Sequence, residues 1–292
     1  MQRVRIVTDT VAQLTEDLIQ RHWIKVVPAG IIYCDGKDFI DGVDIAPAEA
    51  YRLLADDPSQ FATAAIPPRY FGEAFDELSS TVNEIFCITV SSKLSAVYNT
   101  AVLVSEQIRE KTPELNIRVF DSMNAAGGEG LIVLAAARAA ARGLDLDGVA
   151  AVADKAREHS EVLFVFDTLR HVHRSGRIPK VVSQAADKLN VRPLCRIYGD
   201  GRVHFIGLAR SRQKGLQRII EMARERVGDM PIYVMVVHAD ALADAEKLKA
   251  RVEVEFNCCD TFISEFSPIM GYATGPGTLG IAFCPDVGTA QQ

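Results

Sequence analysis

The sequence predicts an α/β protein of two domains: an N-terminal three-layer α/β/α domain with a parallel sheet, and a C-terminal α/β domain with a mixed sheet. Three observations predict this class. The length of 292 residues favours two domains of ordinary size. In the first half, short β-branched runs alternate with helix-length segments, as in βαβ units. In the second half, Gly199-Asp200-Gly201 separates two strand-like runs, which indicates a hairpin and antiparallel pairing.

The elements of the first half follow from apolar runs and the residues that bound them. The first strand, at 4–7, stops at Thr8-Asp9-Thr10. A helix then begins near Thr15, with Glu16 and Asp17 in its first turn, where the helix dipole favours acids. The further predictions are a strand at 23–27, a helix at 49–55 after Pro47, a loop at 57–68, a helix at 70–80, a strand at 85–90, a helix at 96–111, a strand at 117–120 and a helix that ends at Arg142-Gly143.

The second half is predicted by the same rules. Its elements are a strand at 162–166, helices at 168–174 and 178–189, hairpin strands at 194–198 and 202–208, a helix at 211–226 capped by Ser211, a strand at 232–237, a helix at 241–254, and strands at 261–265 and 279–283. We place the boundary near 158–161, which gives domains of residues 1–160 and 161–292. No Pro/Gly/Ser linker marks this boundary, so we expect the domains to pack closely.

Charge, apolar segments and cysteine placement limit the classes of function and the cellular compartments that are expected for this protein. The net charge is −6, from 32 basic and 38 acidic residues, and no basic block is present, which argues against broad nucleic-acid binding. No window approaches the roughly 20 apolar residues that span a bilayer, so no integral membrane segment is expected. The N-terminus is typical of a first strand and not of a secretory leader. The six cysteines are scattered and form no C-x-x-C motif. Cys34, Cys87, Cys195 and Cys284 lie among apolar residues, as buried free thiols do, which indicates a reducing cytoplasm.

Small polar residues follow four predicted strands, where ligands bind in open α/β sheets. The richest segment is Ser91-Ser92-Lys93-Leu94-Ser95, which lies directly before a helix. Backbone amides at such a helix start favour an anion. The alternative is that Ser92 or Ser95 only caps the helix, and one serine can do both. The other three strand ends are Asp9-Thr10, Asp121-Ser122 and Asp167-Thr168.

Two further segments are candidates for contact with a ligand. Residues 61–68 form an unusually apolar loop with one hydroxyl, at Thr63, which is the composition of an apolar pocket with one polar contact; packing onto its own domain is the equal alternative. The segment 271–278 is rich in small residues and allows close approach of the backbone. By contrast, Gly127-Gly128-Glu129-Gly130 lacks the dinucleotide-binding register, so we assign it to helix–sheet packing.

Signatures of stand-alone enzymes are missing from the sequence. No P-loop, G-x-S-x-G elbow or H-E-x-x-H motif occurs. The pair His171 and His173 and the adjacent Cys258-Cys259 have poor metal-chelating spacing, so no metal is expected. Residues 168–177 form a local basic run containing Arg170, Arg174 and Arg177. This run is either a solvated helix face or a docking patch for an acidic partner or a phosphate.

Taken in order, seven motifs resemble those of the DegV family of bacterial fatty-acid-binding proteins over essentially the whole chain. The matching segments are Ile6-Val7-Thr8-Asp9-Thr10, Asp41-Gly42-Val43-Asp44-Ile45, the segment around Thr63, Ser91-Ser92-Lys93-Leu94-Ser95-Ala96-Val97-Tyr98, Asp121-Ser122 with the following glycines, 168–178, and Thr274-Gly275-Pro276-Gly277. The order of these motifs is more specific than any one of them.

The resemblance implies one long-chain fatty acid between the two domains, with no other cofactor and no catalytic residue. Its carboxylate would be held by the hydroxyls of Thr63 and Ser95, with Ser92 beside them, and its acyl chain would lie in an apolar tunnel. The residues implied near the head group are Thr274, Gly275 and Ser122. The resemblance also implies a carrier role, in which the acid is presented to a separate ATP-binding fatty acid kinase subunit that makes an acyl phosphate. Docking would use Arg170, Arg174 and Arg177.

The chain departs from the family pattern at three places. It has Thr63-Ala64-Ala65 where the family has T-S-Q, and Ala96 where the family has glycine. Ala273 stands where a histidine often precedes T-G-P-G, which bears on phosphotransfer more than on lipid binding. The position of Ser95 at a strand-to-helix turn supports a second hypothesis: a stand-alone hydrolase or transferase that uses Ser95. It requires a base beside Ser95; no histidine lies nearby in the sequence, so a distant one would have to fold in.

Overall fold

The structure is a computed structural model, and it describes residues 3–177 and 191–287. The helix predicted at 178–189 lies outside the described residues. The strands are β1 (Val4–Asp9), β2 (Lys25–Val27), β3 (Gly30–Cys34), β4 (Lys37–Ile40), β5 (Ala62–Ala65), β6 (Glu84–Thr89), β7 (Asn116–Asp121), β8 (Glu161–Val165), β9 (Arg192–Ile197), β10 (Val203–Ala209), β11 (Ile232–His238), β12 (Cys258–Glu265) and β13 (Leu279–Pro285). The α-helices are α1 (Glu16–His22), α2 (Pro47–Asp56), α3 (Arg69–Ser79), α4 (Val97–Lys111), α5 (Ala126–Ala141), α6 (Leu146–His159), α7 (Arg170–Arg174), α8 (Arg212–Val227), α9 (Leu242–Glu255) and α10 (Pro268–Thr274).

The N-terminal half is built on a parallel sheet of order β2-β1-β6-β7. Cys87 at the centre of β6 lies between Val7 of β1 and Val119 of β7. Helices α3 and α4 pack on one face of this sheet, and α5 and α6 pack on the other. The predicted three-layer α/β/α arrangement is confirmed. Its strands are buried on both faces, which explains their almost continuous apolar sequence.

The C-terminal half contains a six-stranded sheet of order β10-β9-β8-β13-β11-β12. Only the β11–β12 pair is parallel, so the predicted mixed sheet is confirmed. The predicted hairpin is formed by β9 and β10, with Ile197 opposite Val203 and with Gly199 and Gly201 at positive φ. The predicted boundary at 160/161 falls immediately before β8. The division into residues 1–160 and 161–292 nevertheless stays a prediction.

Helix α5 joins the two halves because it packs against both sheets. It contacts β1 and β6 of the parallel sheet and β8, β11 and β13 of the mixed sheet. A methyl group added at Gly130 would lie 2.3 Å from the Ala12 carbonyl oxygen, and one at Gly127 would lie 2.8 Å from Ala282 Cβ. The glycines at the start of α5 therefore permit close helix–sheet packing, as predicted. Because both sheets cover α5, almost all of its residues are buried, which explains why its sequence is apolar on every face.

A three-stranded antiparallel sheet of order β4-β3-β5 was not predicted. The β3–β4 hairpin turns at Asp35-Gly36, where both residues have positive φ (51° and 71°), as a type I′ turn requires. Strand β5 pairs with the other edge of β3, and Ile32 lies opposite Thr63. The prediction of a loop over 57–68 was therefore wrong at Ala62–Ala65. A strand of small residues forms there because β3 supplies its backbone hydrogen bonds.

Two carboxyl groups are buried where α5 meets the parallel sheet. Asp9 accepts hydrogen bonds from the amides of Val11 and Val90, each at 2.9 Å, yet burial raises its pKa to about 7. Glu129 accepts a bond from the Thr8 hydroxyl at 3.3 Å, and among the described residues its second oxygen has no partner. Burial, and then the charge of Asp9, raise the pKa of Glu129 well above its usual range. Glu129 therefore keeps its proton to higher pH than an exposed glutamate does.

We expect Glu129→Gln to stabilise the fold increasingly as pH rises. In the unfolded chain, Glu129 has the ordinary glutamate pKa of about 4.3. The folded chain retains the proton to higher pH. The folded state thus binds the extra proton, and wild-type stability is lost as pH rises toward the folded pKa. Glutamine has no proton to lose. Urea unfolding between about pH 5 and about pH 9 measures the difference. The exposed variant Glu110→Gln is the control, and a Glu129→Gln effect that does not change with pH would contradict this assignment.

Candidate functional site

A cavity of about 760 Å³, its open mouth included, lies between the two halves of the protein. That size is within the range of small-molecule sites. Its lining comes from loops and β5 of the N-terminal half, from β8, β9 and β10 of the mixed sheet, and from the α7 and α10 regions. The aliphatic and phenylalanine residues of the lining are Val11, Ala29, Val90, Leu94, Ala125, Phe164, Phe166, Val172, Ile197, Val203, Ile269, Met270 and Ala273. The lining thus consists mainly of aliphatic side chains and two phenylalanines.

Ser95 lines this cavity from the segment between β6 and α4. Its amide donates to the Ser91 carbonyl at 3.2 Å, which forms the turn before the helix. Its hydroxyl oxygen accepts from the Val97 amide at 3.4 Å, so the capping alternative is realised only as a long bond. Among the described residues, the Ser95 hydroxyl proton has no acceptor. Ser95 can therefore cap the helix and still donate to a ligand.

Thr63 lines the same cavity from the middle of β5. Its cross-strand partner is Ile32, which is fully buried, and directly opposed residues of an antiparallel pair point to the same face. This pairing turns the Thr63 side chain inward although β5 itself is half-exposed. Its hydroxyl makes no hydrogen bond to any other described residue. The strand that was missed from the sequence is thus what directs the predicted hydroxyl into the cavity.

The two other serine and threonine hydroxyls in the cavity wall already donate hydrogen bonds to main-chain carbonyl groups. Thr274 donates to the Met270 carbonyl at 2.8 Å, and Ser175 donates to the Val172 carbonyl at 2.8 Å. Each oxygen can still accept a bond, but neither proton is available to a carboxylate without breaking an existing bond. Among the serine and threonine hydroxyls of the wall, Ser95 and Thr63 are consequently the donors best placed to bind an anion.

Three residues predicted near the head group lie outside the described cavity wall. The Ser92 amide donates to the Asp121 carboxylate at 3.2 Å. Ser122 is fully buried, and its hydroxyl donates to the Asn124 carbonyl at 3.1 Å within a turn. Gly275 has φ +84° and lies against the ring of His171. The roles predicted for these three residues stay predictions, and their hydrogen bonds and packing already serve the local fold.

The serine with the clearest structural role is Ser91, which was not singled out. It is fully buried, and its hydroxyl donates to the Gly201 carbonyl at 2.8 Å. Gly201 lies in the turn of the β9–β10 hairpin, so this bond joins a strand end of one half to the other half. A methyl group at Gly201 would lie 2.3 Å from the Ser91 hydroxyl oxygen. The pair therefore fixes one side of the cavity.

The three predicted docking arginines have different surroundings. Arg177 lines the cavity, and its guanidinium donates to the Leu94 carbonyl at 3.2 Å and to the Ser175 carbonyl. Arg174 lies over the ring of Tyr272, with 5.0 Å from the guanidinium carbon to the ring centroid. Arg170 is exposed. Arg177 thus places a positive charge beside the segment that carries Ser95, whereas Arg174 supports the wall.

Helix α10 contributes more of the wall than the sequence indicated. Ile269, Met270, Tyr272, Ala273 and Thr274 all line the cavity. The sequence indicates this segment through its small residues and through the family motif Thr274-Gly275-Pro276-Gly277. The cavity contacts come from the larger side chains beside them, whose direction depends on how the helix docks.

His171 lies beside the site and belongs to the basic run 168–177. Burial, followed by the charges of Arg174 and Arg170, lowers its pKa to about 4, so its imidazole is neutral at physiological pH. Its Nδ1 lies 3.1 Å from an Arg174 guanidinium nitrogen. Across the described residues, no group of three or more His, Cys, Asp or Glu side chains is placed to hold a metal ion.

Comparison with known proteins assigns the chain to a family. A family model described as "Uncharacterised protein, DegV family" matches residues 3–286. The chain belongs to the DegV family. A DegV domain-containing protein of Clostridium acetobutylicum is 30% identical over 284 residues, covering 96% of this chain and 98% of that protein.

Solved DegV structures share the fold over nearly their full length. A DegV family protein from Thermus thermophilus, described by its fatty acid binding, superposes with a TM-score of 0.88 at 25% identity, covering 97% of this chain and 99% of that one. A stearic acid-binding protein from Eubacterium ventriosum superposes with a TM-score of 0.87 at 22% identity, covering 97% and 98%. At the latter identity the likeness shows the fold alone.

The structure also bears on the predictions made for membrane segments and for the cysteines. No helix in the ranges 3–177 and 191–287 is long and apolar enough to cross a bilayer. All six cysteines are free thiols, and Cys34, Cys87, Cys195 and Cys284 are buried, as the sequence predicted.

Proposed function

We propose that this DegV protein binds one long-chain fatty acid in the cavity between its two domains. The observation that carries the proposal is a cavity with a mainly apolar wall that contains Ser95 and Thr63, two small hydroxyl side chains whose protons have no acceptor among the described residues. The carboxylate would accept from both hydroxyls beside the start of α4, and the acyl chain would lie against the apolar wall. The fatty acid binding of the Thermus thermophilus relative supports this assignment.

An apolar cavity wall of this kind favours binding of a long acyl chain. Each buried CH₂ group contributes about 0.8 kcal/mol, so the acyl chain supplies most of the affinity. The head group needs only enough hydrogen bonds to offset the loss of water, and two hydroxyls with a helix start can provide them. Arg177 adds a positive charge to an otherwise weakly polar wall. The Coulombic attraction favours the ionised acid over neutral lipids.

We further propose that the protein is a carrier that presents the acid to a separate ATP-binding kinase subunit, which forms the acyl phosphate. Support comes from the position of Arg177 at the cavity and of exposed Arg170 nearby on α7, which together offer a basic surface to a partner. A reducing cytoplasm suits the free thiols. Ala273 faces the cavity with no ionisable group, so phosphotransfer would depend on the partner's residues.

The alternative hypothesis, a hydrolase or transferase with Ser95 as nucleophile, has less support. A serine nucleophile needs a general base within hydrogen-bond reach. Along the described cavity wall no histidine, aspartate or glutamate is present, and Arg177 is its only charged side chain.

The proposed head-group contacts predict a preference for the free acid. Delipidated protein is expected to bind palmitate at least about tenfold more tightly than methyl palmitate, because the ester cannot accept charge-assisted bonds from Ser95 and Thr63. Competition against a fluorescent fatty acid measures both affinities. Equal affinity for acid and ester would show that the hydroxyls do not hold the carboxylate.

A further inference from the structure

The Asp41-Gly42-Val43-Asp44-Ile45 segment has no part in the cavity wall, yet it contains a fully buried acid. Asp41 follows β4 and has no exposed surface. One of its carboxylate oxygens accepts from the Ile269 amide at 2.9 Å, and the other accepts from the Thr10 hydroxyl. The Thr10 oxygen in turn accepts from the Ala29 amide at 3.0 Å. Asp41 thus joins the N-terminal half to the first turn of α10, which is 228 residues away in sequence.

The start of α10 is held by the N-terminal half at three points. A helix start leaves its first amides without intrahelical partners. The Ile269 amide is satisfied by Asp41, and the Ser267 amide donates to the Gln13 side-chain oxygen at 2.8 Å, while Pro268 has no N–H. Just before the helix, the Tyr51 hydroxyl donates to the Phe266 carbonyl at 3.1 Å. Residues of the N-terminal half therefore cap a helix whose sequence lies between strands of the mixed sheet.

We propose that Asp41 is a positioning residue for the ligand site, because its carboxylate holds α10 in the place where that helix forms one wall of the cavity. The inference rests on the proposed fatty-acid binding. Five of the seven residues of α10 line the cavity, so a shift of this helix would change the wall along its length. Asp41 itself touches no part of the cavity and acts through Ile269.

The backbone turn at residues 41–45 fixes the position of the Asp41 carboxylate. Gly42 has φ +72°, and a methyl group there would lie 2.9 Å from the Thr10 side chain, so glycine lets the chain turn beside Thr10. The Asp44 carboxylate accepts from the Ile40 amide at 3.0 Å, which closes the turn around Asp41. The Asp41 amide donates to the Gly30 carbonyl at 3.1 Å. Each contact orients Asp41 toward α10.

The test compares Asp41→Ala and Asp41→Asn for palmitate binding. Alanine removes both hydrogen bonds, and we expect the dissociation constant to rise at least about tenfold, mainly through faster release. Asparagine retains an oxygen that can accept from Ile269, so its affinity should stay within about threefold of wild type. Asp38→Ala, an exposed change on the same hairpin, is the matched control. Wild-type affinity in Asp41→Ala would overturn the proposal, as would an asparagine variant as weak as the alanine variant.

Two further measurements separate positioning from general destabilisation. Hydrogen exchange should become faster at the amides of 269–274 in Asp41→Ala and stay unchanged in α5. Leu248→Ala, in α9 and away from the cavity, lowers stability without touching α10 and should leave palmitate affinity unchanged. An equal loss of affinity in Leu248→Ala would overturn the proposal. If wild-type protein binds no fatty acid, the proposed function fails, whereas unchanged exchange at 269–274 in Asp41→Ala refutes the helix cap on its own.

Discussion

Removing the Ser95 and Thr63 hydroxyls together, as Ser95→Ala with Thr63→Val, is expected to weaken palmitate binding by roughly 2–6 kcal/mol, at about 1–3 kcal/mol for each lost partner. Of the serine and threonine hydroxyls in the cavity wall, these are the two whose protons are not already bonded within the described structure. Calorimetric titration of delipidated protein measures the loss. Methyl palmitate should lose less affinity than palmitate in the double variant, because an ester carbonyl accepts only neutral hydrogen bonds, which are about half as strong as charge-assisted ones.

A matched control for this prediction lies in the same cavity. The Ser175 hydroxyl donates to the Val172 carbonyl, so Ser175→Ala should change palmitate affinity far less than Ser95→Ala does. The comparison also tests the capping alternative. If Ser95 served only to cap α4, Ser95→Ala would lower the thermal stability and leave affinity unchanged. Wild-type affinity in the double variant would remove both residues from the ligand site.

Replacing Gly130 by alanine is expected to destabilise the protein by about 1–3 kcal/mol or more, although alanine is the better helix former. The added methyl group would lie 2.3 Å from the Ala12 carbonyl oxygen, which is backbone and cannot rotate away. Helix α5 packs against both sheets, so its displacement would disturb the contact between the two domains. Urea unfolding measures the loss of stability.

Gly72→Ala is the control for the Gly130 prediction. Gly72 also lies inside a helix, α3, but no described atom comes within 4 Å of an added methyl group there. This variant should therefore gain about 0.5–1 kcal/mol from helix propensity alone. A Gly130→Ala variant as stable as Gly72→Ala would show that α5 is not closely packed between the sheets.

The layered fold was predictable because its signals are local. β-Branched runs, capped helices and the Gly199-Asp200-Gly201 turn each specify an element, and alternation specifies the parallel sheet. The small β4-β3-β5 sheet was missed although Asp35-Gly36 between apolar runs is a strong hairpin signal. Strand β5 carried no such signal, because Ala62–Ala65 is a strand only through its pairing with β3.

The sequence predicted two hydroxyl residues of the candidate site, Ser95 and Thr63, but not most of the residues that form the cavity wall. Ser95 was indicated by its place between a strand and a helix, and Thr63 by an apolar setting and by the family resemblance. The inward direction of Thr63, the wall contributed by α10 and the interdomain bond of Ser91 depend on contacts between residues distant in sequence. The role proposed for Asp41 could not be predicted from the sequence for the same reason. Its partner, the Ile269 amide at 2.9 Å, is 228 residues away along the chain.

The most direct test of the central claim is the identity of the ligand that the protein carries when purified from cells supplied with fatty acids. Organic extraction of the folded protein, followed by mass spectrometry, should yield about one long-chain fatty acid per chain, as expected for a ligand whose buried methylenes contribute about 0.8 kcal/mol each. The Ser95→Ala, Thr63→Val variant should retain much less. Wild-type protein that carries no acyl chain, and takes none up when palmitate is supplied, would contradict the account.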